Sequence, residues 1–414
     1  MPALQPVRGT QDLLPDAARR HRHVRETARR LAELYGFTEI DVPVFEFTEV
    51  FARPIGEHTD IVSKEMYSLK DRGGEDLSLR PEFTAGIVRA VLSNSLTQSA
   101  PLKFFASGPV FRYERPQKGR FRQFHQIDAE IIGVAQPQAD IELIALARRT
   151  LEALGIGARV VLELNTLGDP ASRAAYREAL VTYFSARRAD LSEDSQRRLQ
   201  VNPLRILDSK DPGDIRINAD APAFDSYLND GSRDFFAEVR AGLDRLGIAY
   251  RLNPLLVRGL DYYTHSVFEF VTTDLGAQGT VLAGGRYDGL IGLMGGPEMA
   301  GVGWAAGVER LALLIDEPAA PARPVALVPI GEQAAGNALS IAEHLRQAGF
   351  AVDLGYSGNL QRRMRRANRI DARAAVLIGD DELASGKVTL RDFDSGLQET
   401  IPMNDLVAKL KALG

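Results

Sequence analysis

Two β-rich runs, residues 104–115 and 121–132, are joined by Pro116-Gln117-Lys118-Gly119, a turn-forming tetrapeptide. Neighbouring strands linked by a hairpin run antiparallel, so this pair commits the central sheet to a mostly antiparallel plan. Pro15 and Asp16 open a helical pattern that runs to Leu34 and stops at Gly36, with Val24, Ala28, Leu31 and Leu34 on its apolar stripe. Residues 37–44 read as a strand. Residues 66–69 and 77–79 flank Gly73-Gly74 as a second hairpin, and 81–92 return to helical spacing. Strand character resumes at 267–271 and 280–283, and 301–306 lead into a helix over 307–314.

The 414 residues leave room for two to three domains at roughly 100–200 residues each. Residues 171–253 are polar and mainly helical, and are expected as an insertion within a first domain spanning 1–320. The Pro/Ala-rich stretch Asp316–Pro324 reads as a linker. Beyond it, strands at 325–329, 351–354 and 374–378 alternate with helices at 332–348 and 360–368. That order predicts a small α/β domain with parallel strands over 325–414. The expected fold class is therefore an α+β domain on a mostly antiparallel sheet with flanking helices, a helical insertion and a C-terminal α/β domain.

Composition narrows the function. The chain has no cysteine, which excludes disulfides, thiolate metal sites and a Cys nucleophile. Its six histidines show no HExxH or paired-ligand spacing, so no metal ligand set is expected. A formal net charge of −5 argues against a wholesale polybasic coat but leaves room for a local basic patch. No apolar run approaches the ~18 residues needed to cross a bilayer, and the first residues have no signal-peptide character. The expectation is a cytoplasmic protein with no membrane contact.

GxxxxGK[ST] and strand-borne GxGxxG loops are both missing, so any bound ATP has to be held by side chains. The hairpin supplies them. Arg112 and Glu114 alternate to one strand face, the next strand offers Arg120 or Arg122, and Phe124 and Gln126 share a face. Guanidinium forks neutralise phosphate oxygens and a phenyl ring can stack on a purine; the plainer alternative is a surface hairpin with solvated arginines. Residues 256–269 (LVRGLDYYTHSVFE) embed Arg258 and Asp261 among apolar residues ahead of Tyr262 and Tyr263, either as a polar pocket or as an ion pair tying down a loop. The paired glycines of 283–289 (AGGRYDG) permit close approach of a ligand, or make an ordinary turn. In 301–310 (GVGWAAGVER), Arg310 faces a nucleotide or solvent. Glu82 and Thr84 stand at a helix start, where a carboxylate is also a common cap. Six arginines fall within 361–373, a solvated helix face or a phosphate footprint.

Taken together, these segments resemble the class II aminoacyl-tRNA synthetases, and among them the histidyl-tRNA synthetase family. Residues 37–43 are similar to that class's motif 1, 111–126 to motif 2 and 301–310 to motif 3. The peptides at 256–263 and 283–290 are similar to the two signatures of the histidine-specific family. The resemblance covers essentially the whole chain and makes residues 325–414 an anticodon-binding domain. It implies that Arg258 and Arg112 are catalytic and contact the α-phosphate and the histidine carboxylate. Arg310 holds the γ-phosphate, Arg120 and Glu114 help to bind ATP, and Phe124 stacks on adenine. Glu82, Thr84 and Gln126 hold the α-amino group, with Phe83 beside them, and Glu130 and Tyr263 address the imidazole nitrogens, with Tyr262 adjacent. Arg115 and Gln117 approach the tRNA acceptor end, and Arg362, Arg363 and Arg366 bind tRNA. Implied partners are L-histidine, ATP, Mg²⁺, tRNA(His) and a second copy of the chain. Three departures from the commonest family pattern are Phe83, Phe121 and the pair Thr264-His265. Two rival readings are a silent regulatory paralogue of ATP phosphoribosyltransferase and a class II synthetase for another amino acid. The retained arginines and attached C-terminal domain speak against the first, and the two signature peptides against the second.

Overall fold

The computed structural model describes residues 4–56, 59, 61–257, 262–276 and 279–413. The chain divides into two compact units, Met1–Pro318 and Ala319–Gly414.

The first unit is built on an eight-stranded sheet among the described residues. From edge to edge it runs Thr38–Glu39, Leu102–Phe111, Gln123–Ile132, Gly301–Gly307, Thr280–Arg286, Thr264–Val271, Val161–Thr166 and Arg251–Leu252. The five inner pairings are antiparallel; the two edge strands join in parallel. The hairpin pairs Leu102 with Ile132 through Phe111 with Gln123 in unbroken register. Its strands are shorter than expected: residues 112–122 leave the ladder and form a long tip, tied by a bridge between Gln117 and Arg120. Arg112 and Glu114 are therefore placed by loop contacts rather than by strand alternation. Of the expected strand over residues 37–44, only Thr38–Glu39 are sheet.

Period-2 alternation gives the sheet one apolar and one polar-bearing face. Ile127, Ala129 and Ile131, with Val302, Trp304 and Ala306, pack into one core beneath the helices Pro15–Leu34 and Gln138–Ala153. Trp304 Nε1 donates to the Leu143 carbonyl at 3.1 Å, so even this ring is polar-satisfied. Gln126, Asp128 and Glu130 point the other way. The first helix begins and ends where its sequence signals lie, and buries Val24, Ala28 and Ala32 at i, i+4 spacing. Leu34 is solvent-exposed, contrary to the expected stripe, since the core side is already filled by Thr27, Ala28 and Ala32.

The insertion is helical: Pro170–Ser185, Glu193–Val201, Pro212–Asn218 and Asp230–Arg245. Asp169, Ser192, Asp211 and Asn229 each cap the following helix by accepting from a backbone N–H. A separate three-stranded sheet pairs Phe45–Phe47 and Ser68–Lys70 with Asp76–Leu79.

In the second unit, Val325–Ile330 runs parallel to Val352–Leu354 and Ala374–Gly379, as the β-α-β-α-β order requires. Two further strands, Lys387–Asp392 and Gln398–Pro402, continue the sheet antiparallel, so the sheet is mixed. Residues 387–402 carry no helix between strands, which leaves a hairpin as the available connection.

Candidate active site

A cavity of about 710 Å³ opens on the polar face of the large sheet. Its floor is acidic and buried. Glu130 is 1 % exposed; it accepts from Thr84 Oγ1 at 2.6 Å and from the Tyr287 hydroxyl. Asp128, two residues earlier on the same strand face, is equally buried. Burial pushes the Glu130 carboxyl up to about 7, against the pull of hydrogen bonds from Asp128, Thr84 and Tyr287. Burial and the neighbouring Glu130 charge raise Asp128 well above the usual carboxylate range. Two dry carboxylates this close do not both ionise, so the pair retains a proton near neutrality. Glu82 accepts the backbone N–H groups of Thr84 at 2.6 Å and Ala85 at 2.9 Å, capping the helix Thr84–Ser93; burial still raises its pKa. Gln126 Oε1 is out of solvent and meets no partner among the described residues, an acceptor left for a ligand's donor.

Tyrosines wall this floor. Tyr262 lies 4.9 Å from Tyr263 and 5.8 Å from Tyr287, ring centre to ring centre. The Tyr263 carbonyl accepts from Arg173 Nη1 of the insertion at 2.9 Å. Glycines make the room. A Cβ on Gly303, opposite Glu130 in register, would overlap the Glu130 carboxylate, and one on Gly285 would sit 2.8 Å from the Tyr263 ring. The glycines of 283–289 and 301–307 thus admit the protein's own side chains on the cavity face rather than only a ligand.

The mouth is cationic. Arg112 Nε donates to the Pro81 carbonyl at 2.9 Å, and its guanidinium stands 5.5 Å from the centre of the Phe124 ring. Arg310 donates from Nη1 to Thr280 O at 2.7 Å and from Nε to Gly119 O at 3.3 Å. Burial lowers the Arg310 pKa and nearby Arg120 lowers it further, Glu114 opposing and Arg112 adding to the repulsion. Arg120 pairs with Glu114. Arg112 and Arg120 thus crowd Arg310 with like charge at one cavity mouth, a setting that suits an anion.

The structure brings together Glu82, Thr84, Arg112, Glu114, Arg120, Phe124, Gln126, Glu130, Tyr262, Tyr263 and Arg310 around this cavity. Phe83 is not on the wall: it is fully buried in the core, with the Arg80 guanidinium 4.1 Å from its ring centre. Arg258 and Asp261 lie outside the described residues. Arg115 and Gln117 are exposed on the hairpin tip. In the second unit, Arg362 is exposed, but Arg363 donates to the Pro329 carbonyl and Arg366 pairs with Asp353 at 2.6 Å, so two of the three expected tRNA contacts brace their own domain. Sequence reasoning passed over Asp128, Tyr287, Asp208 and Lys210, all of which line the cavity. The polar series 126, 128, 130 between apolar neighbours carried the signal for Asp128. Nothing local marks Asp208 and Lys210, which the insertion folds toward the mouth.

The family profile described as histidyl-tRNA synthetase matches residues 9–311 of this chain, and one described as an anticodon binding domain matches 324–413. The chain belongs to the histidyl-tRNA synthetase family. It is 60 % identical over 403 residues to a histidine–tRNA ligase of Rhodospirillum rubrum, covering 97 % of each chain. It is 55 % identical over 413 residues to that of Gluconacetobacter diazotrophicus, covering all of both. The crystal structure of apo Staphylococcus aureus histidyl-tRNA synthetase superposes with a TM-score of 0.83 at 34 % identity, over 99 % of this chain and 100 % of that one. These full-length likenesses place the chain with the histidyl-tRNA synthetases rather than with the regulatory paralogue.

Proposed function

We propose that this protein activates L-histidine with ATP to histidyl-adenylate and then transfers histidine to the 3′ end of tRNA(His). The observation that carries the reading is one cavity with a buried acidic floor and a mouth where Arg112 and Arg120 crowd Arg310 with like charge. The floor suits a cationic amine and an imidazole; the mouth suits a carboxylate and a triphosphate.

Two anions must meet for the histidine carboxylate to attack the α-phosphorus and expel pyrophosphate. Arg112 and Arg258 draw the carboxylate and α-phosphate together, and Arg310 takes the γ-phosphate, so positioning and charge compensation supply most of the rate. Arg120 and Glu114 flank the triphosphate, and adenine stacks on Phe124. The α-ammonium sits between Glu82, Thr84 and Gln126, and the imidazole between Glu130 and Tyr263, with Tyr262 packed beside it. Amino acids that cannot pair with Glu130 forgo that buried contact, which is the basis of selectivity. The carboxylates of Glu114 and Glu269 line the cavity as hard oxygen donors suited to Mg²⁺. When bound, Mg²⁺ neutralises charge on the leaving pyrophosphate. In the second step the terminal ribose hydroxyl of the tRNA attacks the adenylate's carbonyl carbon and releases AMP. Arg115 and Gln117, exposed at the tip, meet the acceptor end in this reading, and the 325–414 domain the anticodon. We read the working unit as a cytoplasmic homodimer; no described helix is long and apolar enough to cross a membrane.

The test is amino-acid-dependent pyrophosphate exchange across all twenty amino acids. Exchange with histidine alone is expected, and Arg258→Ala is expected to fold yet lose it by about 100-fold or more. Exchange driven by another amino acid, or a wild-type rate in that variant, overturns the assignment.

A further inference from the structure

The helix Pro15–Leu34, the strand Gln123–Ile132 and the helix Val308–Leu314 meet at three side chains to which the proposed reaction gives no role: His21, His125 and Glu309. Each offers one ligand atom, and those atoms all lie within 4.8 Å of one another. The three residues are far apart in sequence, which is why histidine spacing gave no hint of them.

His125 and Glu309 alone make an ordinary polar staple. The His125 backbone N–H donates to Glu309 Oε2 at 2.9 Å, and its ring Nδ1 is 2.9 Å from Oε1. His21 does not fit that explanation. It is 7 % exposed, its ring stands edge-on to His125 at 5.5 Å, and its Nδ1, shut away from solvent, meets no hydrogen-bond partner among the described residues. A buried imidazole nitrogen left in this state costs stability with no compensating bond. Arg25 Nε donates to Ser107 Oγ at 2.9 Å, and Arg310 donates to the Gly119 and Thr280 carbonyls.

We propose that His21, His125 and Glu309 form a binding site for a divalent d-block cation of the zinc type, on the helix side of the sheet and joined to the active-site cavity through Glu309, which lines it. Two imidazoles and one carboxylate are a donor set that zinc accepts. Coordination at about 2.0–2.1 Å per nitrogen requires the three atoms to draw together, through side-chain rotation at the two histidines. Occupancy ties the first helix to the turn that carries Arg310, so the metal acts as a clamp beside the triphosphate site.

The EDTA-stripped full-length protein is titrated with Co²⁺, read by visible absorption, with Zn²⁺ as competitor and calorimetry for stoichiometry. The expected result is one tetrahedral Co²⁺ per chain, displaced by Zn²⁺, and a melting temperature raised by Zn²⁺. His21→Gln and Glu309→Gln are each expected to weaken Co²⁺ binding by more than roughly tenfold, while keeping the parent's circular dichroism in EDTA. Absence of the Co²⁺ band in the parent, or undiminished binding in both folded variants, overturns the proposal.

Discussion

At the residue scale, the buried Glu130–Asp128 pair fixes how the protein responds to pH. The Glu130 carboxyl titrates near 7 in the folded chain and near 4.5 in the unfolded chain. Between those values the folded state holds a proton that the unfolded state has released, so stability is greatest below the lower value and is lost as pH rises through about 7. Asp128 is raised too and adds in the same direction. The ligand-free protein is therefore expected to melt at a lower temperature at pH 8 than at pH 5.5, and Glu130→Gln to flatten that slope. A Glu130→Gln profile as steep as the parent's would exclude Glu130 as the source. The same substitution removes a charged acceptor, a change of about 1.5–3 kcal/mol. In histidine-dependent pyrophosphate exchange, KM for histidine is expected to rise roughly tenfold to a hundredfold while KM for ATP holds. An equal rise in both would point to a collapsed cavity instead.

At the scale of elements, the helix Leu360–Arg369 separates two kinds of arginine that look alike in sequence. Arg363 and Arg366 are bonded within their own domain, to Pro329 O and Asp353, Arg366 at an exposed position, whereas Arg362, Arg365 and Arg369 are an exposed three outside those bonds. Replacing the exposed three by Gln is expected to weaken tRNA charging and its salt dependence while sparing adenylation. Replacing Arg363 and Arg366 is expected to lower the melting temperature of the C-terminal unit. Equal tRNA charging by the exposed-triple variant and the parent would remove this face from the tRNA site. The contrast also shows what the sequence made legible. Helix bounds at Pro15 and Leu34 were readable because Pro and Gly act locally, and the cavity's strand face was readable because alternation is a property of the backbone. The tip at 112–122 was not, because side-chain bonds such as Arg112 to Pro81 O, 31 residues apart, override local strand propensity there. Lys210 and His21 were not either, since only tertiary packing brings them to the site.

At the scale of the whole molecule, the small sheet of the first unit presents an uncovered apolar face. Phe45, Phe47 and Leu69 are 57 %, 51 % and 49 % exposed, and the register sets Phe47, Leu77 and Leu69 in one row and Phe45 beside Leu79 in the next. Such patches commonly mark protein interfaces, and for the proposed homodimer a two-fold copy of the same patch is the simplest cover. This face is wired to the active site. Arg80, directly after the strand Asp76–Leu79, donates from its backbone N–H to Val44 O at 2.8 Å and from its side chain to Val42 O at 2.6 Å and Pro109 O at 2.8 Å. The next residue, Pro81, supplies the carbonyl that orients Arg112. If the proposed homodimer forms on this sheet, the docked copy would steady the arginine proposed to bring carboxylate and phosphate together. The double substitution Phe45→Glu, Phe47→Glu places like charges at the centre of that contact. Light scattering is expected to show a dimer for the parent and a monomer for the variant, with adenylation falling alongside assembly although no cavity residue has changed. A variant that stays dimeric would move the interface elsewhere, and a folded monomer with full adenylation would cut the link from the sheet through Arg80 to Arg112.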